Sequence, residues 1–142
     1  MGKQQAMLLW NDSFSVGVRE IDDQHKELVE ILNELVALVG EYPGSANQEI
    51  TSIIEKIDAY KTVHFETEEK YFKQFNYAGA DEHIQAHKDF NEKVGELVAS
   101  FQKNSEKEQL LELVDFIENW FSDHVLNMDH KYVHCFKEGG LE

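Results

Sequence analysis

Apolar residues recur along most of this chain at intervals of three and four positions, which is the period of one face of an α-helix. We call each such row of positions a seam. The first seam consists of Ile21, His25, Leu28, Leu32, Leu35 and Val39. Gly40, Pro43 and Gly44 follow it, and glycine and proline in these positions are typical of a helix end. No stretch alternates between apolar and polar residues with a period of two, so no β-sheet is predicted.

Three further seams predict three more helices. The second helix is expected to begin near Ser45 or Asn47, either of which is a suitable N-cap, and to end before Gly79. The third is expected to begin at Asp81, and the segment Ser105–Glu108 has the pattern of a capping box for the fourth. The seam positions are Ile50, Ile53, Ile57, Tyr60, His64, Glu68, Tyr71 and Phe75 in helix two; His83, His87, Phe90, Val94, Leu97 and Phe101 in helix three; and Leu110, Val114, Ile117, Phe121, His124 and Met128 in helix four.

Short connections between long helices imply that consecutive helices run antiparallel. We therefore predict an all-α fold, an up-down-up-down antiparallel four-helix bundle, over residues 19–136. Residues 1–18 are expected to form an N-terminal arm, in which Leu8, Leu9 and Trp10 pack on the outside of the bundle. Residues 137–142 are expected to be a short C-terminal tail.

Seven polar side chains belong to these helices at places where the core is expected to be apolar. They are His25, His64, Glu68, His83, His87, His124 and Asp129. Burying an unpaired imidazole or carboxylate costs several kcal/mol, so such groups are buried only where something binds them. In an up-down-up-down bundle, the starts of helices one and three lie at the same end as the finishes of helices two and four. All seven residues fall at that end.

The convergence of five histidines and two carboxylates predicts a site for two metal ions. The pair His83 and His87 and the pair His64 and Glu68 each have a helical spacing that arises often by chance, so the prediction depends on the whole set. Imidazole with carboxylate suits iron, manganese or zinc, and the absence of thiolate argues against copper(I) and iron–sulfur clusters. If both carboxylates bridge, and one oxygen from solvent is shared, five histidines divided three and two leave one ion with an open position. The spacing of His124 and Asp129 requires helix four to loosen or end between them.

Several neighbouring polar residues are expected to lie outside the site. Glu66 and Glu69 are rotated off the seam of helix two, which predicts a solvated face. His130, His134 and Cys135 could together bind zinc, but an exposed face or tail segment is favoured because no fourth ligand has a defined place.

Charge and composition exclude several classes of partner. The chain has 13 Lys and Arg residues against 28 Asp and Glu residues, a formal net charge of −15. Nucleic acids and anionic membranes are therefore not expected partners, because both require a basic surface. A single cysteine precludes an intramolecular disulfide, and no apolar run approaches the length of a membrane span. We expect a soluble, cytoplasmic protein without membrane insertion.

The motifs around these residues resemble those of the hemerythrins, in particular the bacterial single-domain type. They are Asp-Asp-Gln-His25, His64-Phe-x-x-Glu68, His83-x-x-x-His87 and Trp120-x-x-x-His124-x-x-x-x-Asp129. The resemblance covers nearly the whole chain. It implies a non-haem site of two iron ions, cycling between Fe2+ and Fe3+ with an oxo or hydroxo bridge, that binds O2 reversibly.

The resemblance also implies a role for each residue. His83, His87 and His124 would hold the six-coordinate iron, and His25 and His64 would hold the iron with the open position. Glu68 and Asp129 would bridge the two ions. The candidates for an apolar shell around the bound ligand are Phe65, Phe72, Trp120 and Phe121.

The expected function is that of an O2-binding protein, for transport, storage or delivery, rather than an enzyme. The alternatives are a module that senses O2 or redox state, and a di-iron enzyme with peroxidase or nitric oxide chemistry. Iron storage and a structural zinc site are less favoured. Ferritin-like di-iron enzymes use Glu-x-x-His pairs and more carboxylates than histidines, whereas histidines predominate here. The acidic surface would suit a basic oxygenase or redox partner.

Overall fold

The predicted seams form four long helices. The computed structural model describes residues 10–40 and 48–142. The helices are α1 (Arg19–Gly40), α2 (Gln48–Gln74), α3 (Ala80–Asn104), α4 (Lys107–Asn127) and a short α5 (Val133–Glu138). Two 3-10 turns, Asp12–Phe14 and Asp129–Tyr132, complete the architecture, and the described residues contain no β-strand. The prediction of an all-α fold is confirmed.

Each long helix packs against two neighbours. Helix α1 lies beside α2 and α4, and α3 lies beside the same two helices, so the four close into an antiparallel bundle. None of the helices formed by the described residues combines the length and apolar character needed to cross a lipid bilayer.

The bundle core consists of two apolar clusters. The large cluster fills most of the bundle and includes Leu32, Leu35, Ile50, Leu110 and Ile117, all of which are fully buried. The small cluster lies where the N-terminal arm, the end of α2 and the C-terminal segment meet. It consists of Val16, Val18, Ile21, Tyr71, Phe72, Tyr132 and Phe136.

The ends of the helices differ from the predictions in two places. Helix α3 begins at Ala80, so Asp81 lies within its first turn and is not its N-cap. The predicted capping box at Ser105 is wrong, because Ser105 adopts a left-handed backbone conformation (φ 54°) that ends α3. Helix α4 therefore starts one residue later, with a capping box formed by Glu106 and Gln109. Ser45 and Asn47, the predicted N-caps of α2, lie outside the described residues.

The expected break between His124 and Asp129 is confirmed. Helix α4 ends at Asn127, and the backbone N–H of Met128 donates to the carbonyl of His124 at 2.7 Å. The chain then tightens into the 3-10 turn that begins at Asp129. This change of helix type carries the Asp129 side chain into the bundle interior, where it is fully buried.

The N-terminal arm contributes to the core as well as to the surface. Trp10 is partly buried and packs beside Phe14, whose ring lies 5.3 Å from that of Phe121 in α4. Val16 and Val18 are fully buried. Leu8 and Leu9, also expected to pack on the bundle, lie outside the described residues.

Candidate metal centre

The seven predicted site residues meet at one end of the bundle. Helix α1 provides His25, α2 provides His64 and Glu68, and α3 and α4 with the turn that follows provide the other four. All seven are buried, with between 0% and 5% of their surface exposed. The large apolar cluster contacts them from one side through the rings of Phe65 and Phe121, and the small cluster from the other through Phe72 and Tyr132.

The nitrogen and oxygen atoms of these side chains form two groups. Within each group the potential ligand atoms all lie within 4.8 Å of one another. The first group consists of Glu68, His83, His87 and His124, and the second of His25, His64, Glu68 and Asp129. Glu68 belongs to both groups, so the two potential metal positions are adjacent.

Asp129 also contacts both groups, through different oxygens. Its Oδ1 lies 2.9 Å from Nε2 of His124 and 3.0 Å from Nε2 of His83. Its Oδ2 lies 3.1 Å from Nε2 of His25. A carboxylate that presents one oxygen to each group is placed to bridge two cations.

Glu68 completes the connection from the opposite helix. Its Oε1 lies 3.1 Å from Nε2 of His87 and 3.3 Å from Nε2 of His64. The two carboxylates thus stand between three imidazoles on one side and two on the other.

These side chains point at common centres rather than at one another. Nε2 of His25 lies 3.1 Å from Nε2 of His64, and Nε2 of His124 lies 2.9 Å from Nε2 of His83. Both carboxylate oxygens of Glu68 and of Asp129 are buried. Although nitrogens lie close to them, neither residue accepts a hydrogen bond of acceptable geometry from the described residues. Buried polar atoms are almost always hydrogen-bonded. Convergent imidazole nitrogens together with unpartnered carboxylate oxygens fit a pair of metal ions.

Electrostatics keep the carboxylates in the form that binds metal. Burial acts to raise the pKa of Asp129, but the imidazoles of His124, His25 and His83 outweigh burial and hold this pKa well below its ordinary value. The pKa of Glu68 is also lowered, because nearby imidazoles outweigh burial and the charge of Asp129. Both carboxylates are therefore ionised at neutral pH.

The imidazoles differ in their protonation. Burial lowers the pKa of His64 to about 4, which leaves its ring neutral. For His25 and His87, burial acts in the same direction but the adjacent carboxylates outweigh it and raise the pKa. Metal binding would compete with protonation of these two rings, because a histidine ligand must be deprotonated.

Two imidazoles are held in orientation by side chains outside the group of seven. Nδ1 of His87 lies 2.9 Å from a carboxylate oxygen of Glu69, and Nδ1 of His64 lies 2.7 Å from the amide oxygen of Gln24. The amide nitrogen of Gln24 in turn donates to Thr67 at 3.2 Å. Such contacts fix the tautomer and direction of a metal-binding histidine.

The expectation that Glu69 lies on a solvated face is incomplete. Its side chain is 36% exposed, but its carboxylate reaches across to α3 and contacts His87. Glu66 is exposed, as predicted. Position next to a predicted ligand is the only signal in the sequence that marks either Glu69 or Gln24.

The match to a known family covers most of the chain. Residues 16–135 match the model of the hemerythrin HHE cation binding domain. The chain belongs to the hemerythrin family.

Relatives within the hemerythrin family span almost the same length. The chain is 29% identical over 128 residues to a bacteriohemerythrin of Clostridium acetobutylicum, covering 89% of this chain and 99% of that protein. It is 30% identical over 137 residues to a bacteriohemerythrin of Pseudomonas aeruginosa, covering 96% of this chain and 86% of the relative. The crystal structure of wild-type hemerythrin superposes with a TM-score of 0.80 at 25% identity, covering 92% of this chain and 98% of that one.

A small cavity in this hemerythrin lies against the second group of residues. Its volume is about 20 Å³, and His25, His64, His124 and Asp129 form its polar wall. A space of this size holds one water molecule or a ligand of a few atoms. Its other lining residues are Leu28, Ile57, Tyr60, Lys61, Phe65, Phe90, Trp120, Phe121 and Val125.

Three of the four residues proposed from the family resemblance as an apolar shell line this cavity: Phe65, Trp120 and Phe121. Phe72 does not line it, since its ring packs 4.8 Å from that of His83 within the small apolar cluster. Tyr60 was identified in the sequence only as a seam residue. Burial and the charges of Glu68, Asp129 and Glu27 raise its pKa well above the ordinary value, so its phenol stays protonated.

The C-terminal residues His130, His134 and Cys135 do not share a site in the hemerythrin fold. His130 contacts the carbonyl of Ser15 at 3.1 Å, and His134 pairs with Glu138 at 3.0 Å. The potential metal groups found among residues 10–40 and 48–142 include none of the three.

Proposed function

We propose that this chain is an O2-binding hemerythrin that holds two iron ions at the seven-residue centre. The observation that carries the proposal is the pair of buried ligand groups joined by Glu68 and Asp129. Two iron ions, cycling between Fe2+ and Fe3+ and joined by an oxo or hydroxo bridge, would supply the two electrons needed for reversible O2 binding. Membership of the hemerythrin family supports the choice of iron.

The two groups support an unequal division of ligands. We assign His83, His87 and His124 to one iron and His25 and His64 to the other, with both carboxylates bridging. The iron held by two histidines would have one protein ligand fewer and would keep an open position. Both histidines of this second iron line the small cavity, whereas only His124 of the other three does, so the cavity lies mainly on the side where a ligand would need space.

Aromatic side chains restrict what reaches this position. The ring of Phe121 lies edge-on to His25 at 5.5 Å, and the ring of Phe65 stacks on His87 at 3.8 Å. Trp120 stacks on His124 at 4.1 Å. An apolar wall of this kind limits the entry of bulk water, and we expect it to slow irreversible oxidation of the centre.

The size of the cavity favours ligand binding over conversion of an organic substrate. About 20 Å³ accommodates a ligand of a few atoms but not a larger molecule beside it. Hydrogen peroxide and nitric oxide are also small enough to enter. Reversibility is therefore the property that separates an O2 carrier or sensor from peroxidase or nitric oxide chemistry.

The decisive experiment is the absorption spectrum of anaerobically reduced, iron-loaded protein, recorded before O2 is admitted, after it is admitted and after it is removed. We expect two irons per chain and a charge-transfer band that appears with O2 and disappears on its removal. Irreversible oxidation would contradict O2 carriage and favour redox or nitric oxide chemistry. A spectrum that does not depend on iron would contradict the metal assignment itself.

The acidic surface also supports a partner of opposite charge. With a net charge of −15, the protein would attract an oxygenase or redox protein with a basic surface through long-range electrostatics. Such binding should weaken as salt shortens the range of the attraction. Association that is indifferent to salt would contradict this mode of docking.

A further inference from the structure

One residue that lines the small cavity, Tyr60, carries a polar atom with no role in the proposed ligand set. Tyr60 lies in α2 one turn before His64, and the two rings stack at 5.6 Å with an angle of 12° between their planes. The residue is only 8% exposed, and its hydroxyl is buried without a hydrogen-bond partner among the described residues.

An unpartnered hydroxyl at this place is unfavourable for folding alone. Burying a hydroxyl without a compensating hydrogen bond costs free energy, and phenylalanine in the same position would avoid that cost. Most of the neighbouring wall is apolar, formed by side chains such as Leu28, Ile57 and Phe90. Lys61 also lines the cavity, but its ammonium group is paired with Asp58 at 2.8 Å.

The position of Tyr60 favours an interaction of its hydroxyl with a small molecule bound in the cavity, rather than with the metal-binding side chains. Tyr60, His25 and His64 line the same enclosed space. These are the two histidines to which we assign the iron with the open position. A molecule bound there would enter the cavity that the tyrosine also borders, and a phenol can donate one hydrogen bond.

We propose that Tyr60 donates a hydrogen bond to the small ligand in this cavity and thereby raises its affinity. The ligand class is a molecule of two or three atoms whose outer atom accepts a hydrogen bond, such as O2 or azide. The inference rests on the proposed function, because the open position exists only when the metal pair is bound.

Tyr60→Phe tests the proposal because it removes only the hydroxyl oxygen. Azide is titrated into the oxidised, iron-loaded protein and followed by absorbance, and O2 release from the reduced protein is followed after rapid mixing. Loss of one neutral hydrogen bond should weaken azide binding and speed O2 release by roughly fivefold to tenfold. Equal azide affinity and equal O2 release in the variant and the parent would overturn the assignment of Tyr60 while leaving the proposed O2-binding function in place.

A second readout distinguishes a ligand contact from a structural role. In the metal-free protein, Tyr60→Phe should leave the denaturation midpoint unchanged or raise it, because the hydroxyl removed has no partner there. A lowered midpoint, or loss of iron from the loaded variant, would overturn the proposal by showing that the hydroxyl supports the fold or His64.

Tyr71→Phe is the matched control. The Tyr71 hydroxyl donates to Glu20, and its ring belongs to the small apolar cluster rather than to the cavity wall. We expect this variant to bind azide and release O2 as the parent does. If the control weakens binding as much as Tyr60→Phe, the effect is not specific to the cavity and the proposal fails. If the parent itself binds neither azide nor O2, both this inference and the proposed function fail.

Discussion

Glu69 orients His87 in the way that Gln24 orients His64. Each contacts Nδ1 of its imidazole, which directs Nε2 towards the candidate metal centre. The two supports differ in charge. A carboxylate partner makes an imidazole a stronger donor to metal than an amide does. If both groups bind metal, the first group has a more strongly donating histidine in His87 than the second has in His64.

Replacing Glu69 should weaken iron binding without removing a ligand. We expect Glu69→Ala to lower iron affinity by about tenfold, the lower end of the range for losing such a support, and Glu69→Gln to restore part of it. Competition with a chelator of known affinity measures the change. Glu66→Ala, an exposed carboxylate on the same helix, is the control. Equal affinities in the Glu66 and Glu69 variants would contradict the supporting role.

Loss of the Asp129 carboxylate should weaken metal binding at both proposed positions. Its two oxygens face different groups, so Asp129→Ala removes a ligand from each at once. We expect iron analysis to show fewer than two irons per chain and the O2-dependent spectrum to disappear. Asp115→Ala, at an exposed site on α4, should retain both irons. Normal iron content and O2 binding in Asp129→Ala would rule out a bridging role.

Among the structural elements, the junction between α3 and α4 shows how few residues a sharp change of direction needs. Only Ser105 and Glu106 separate the two helices, and Ser105 takes the left-handed conformation that closes α3. That conformation is unfavourable for a residue with a side chain and natural for glycine.

Ser105→Gly should therefore stabilise the protein. Relief of backbone strain exceeds the added freedom of the unfolded chain, and we expect a gain of about 0.5 kcal/mol in the free energy of unfolding. Ser52→Gly, at an exposed position inside α2, should lose about 0.5 kcal/mol, because glycine is a poorer helix former than serine. Chemical denaturation measures both, and a Ser105→Gly variant less stable than the parent would show that its side chain contributes more than the strain costs.

The long helices could be predicted because burial imposes a period on the sequence. The common location of His25, His64 and His87 at one end of the bundle could be predicted in the same way, because topology alone determines which helix ends meet. The helix caps could not be predicted as well, because Ser105 and Glu106 are both suitable caps and backbone geometry decides between them. The contact between Glu69 and His87 depends on how α2 and α3 are rotated relative to each other. The apolar pattern of a single helix does not contain that information.

The whole molecule places a charged layer between two apolar clusters. The small cluster joins the N-terminal arm, the end of α2 and the C-terminal segment, and the turn Asp129–Tyr132 links it to the buried site, because Tyr132 belongs to the cluster and Asp129 to the site. The large cluster continues towards the opposite end through Leu35, Ile50 and Leu110. The two ends of the molecule are thus unlike in what stabilises them.

Removing the metal should loosen one end of the molecule before the other. A metal that binds only the folded state stabilises it, and without the metal the buried carboxylates of Glu68 and Asp129 repel each other. We expect a lower denaturation midpoint in the metal-free protein and faster amide exchange around His83 and Asp129. Residues near Leu35 and Leu110 should keep their protection. Uniform loss of protection along the bundle would contradict this division.

The stacking of Trp120 on His124 gives the protein a built-in optical reporter. The centre of the indole lies 4.1 Å from the centre of the His124 ring, a proposed iron ligand, and the two ring planes are nearly parallel. An excited indole so close to iron loses its energy to the metal before it can emit. Emission from Trp120 should therefore fall as iron is bound and return when a chelator removes it, and a Trp10→Phe variant, whose remaining tryptophan is Trp120, would report the filling of the centre in real time without any added dye.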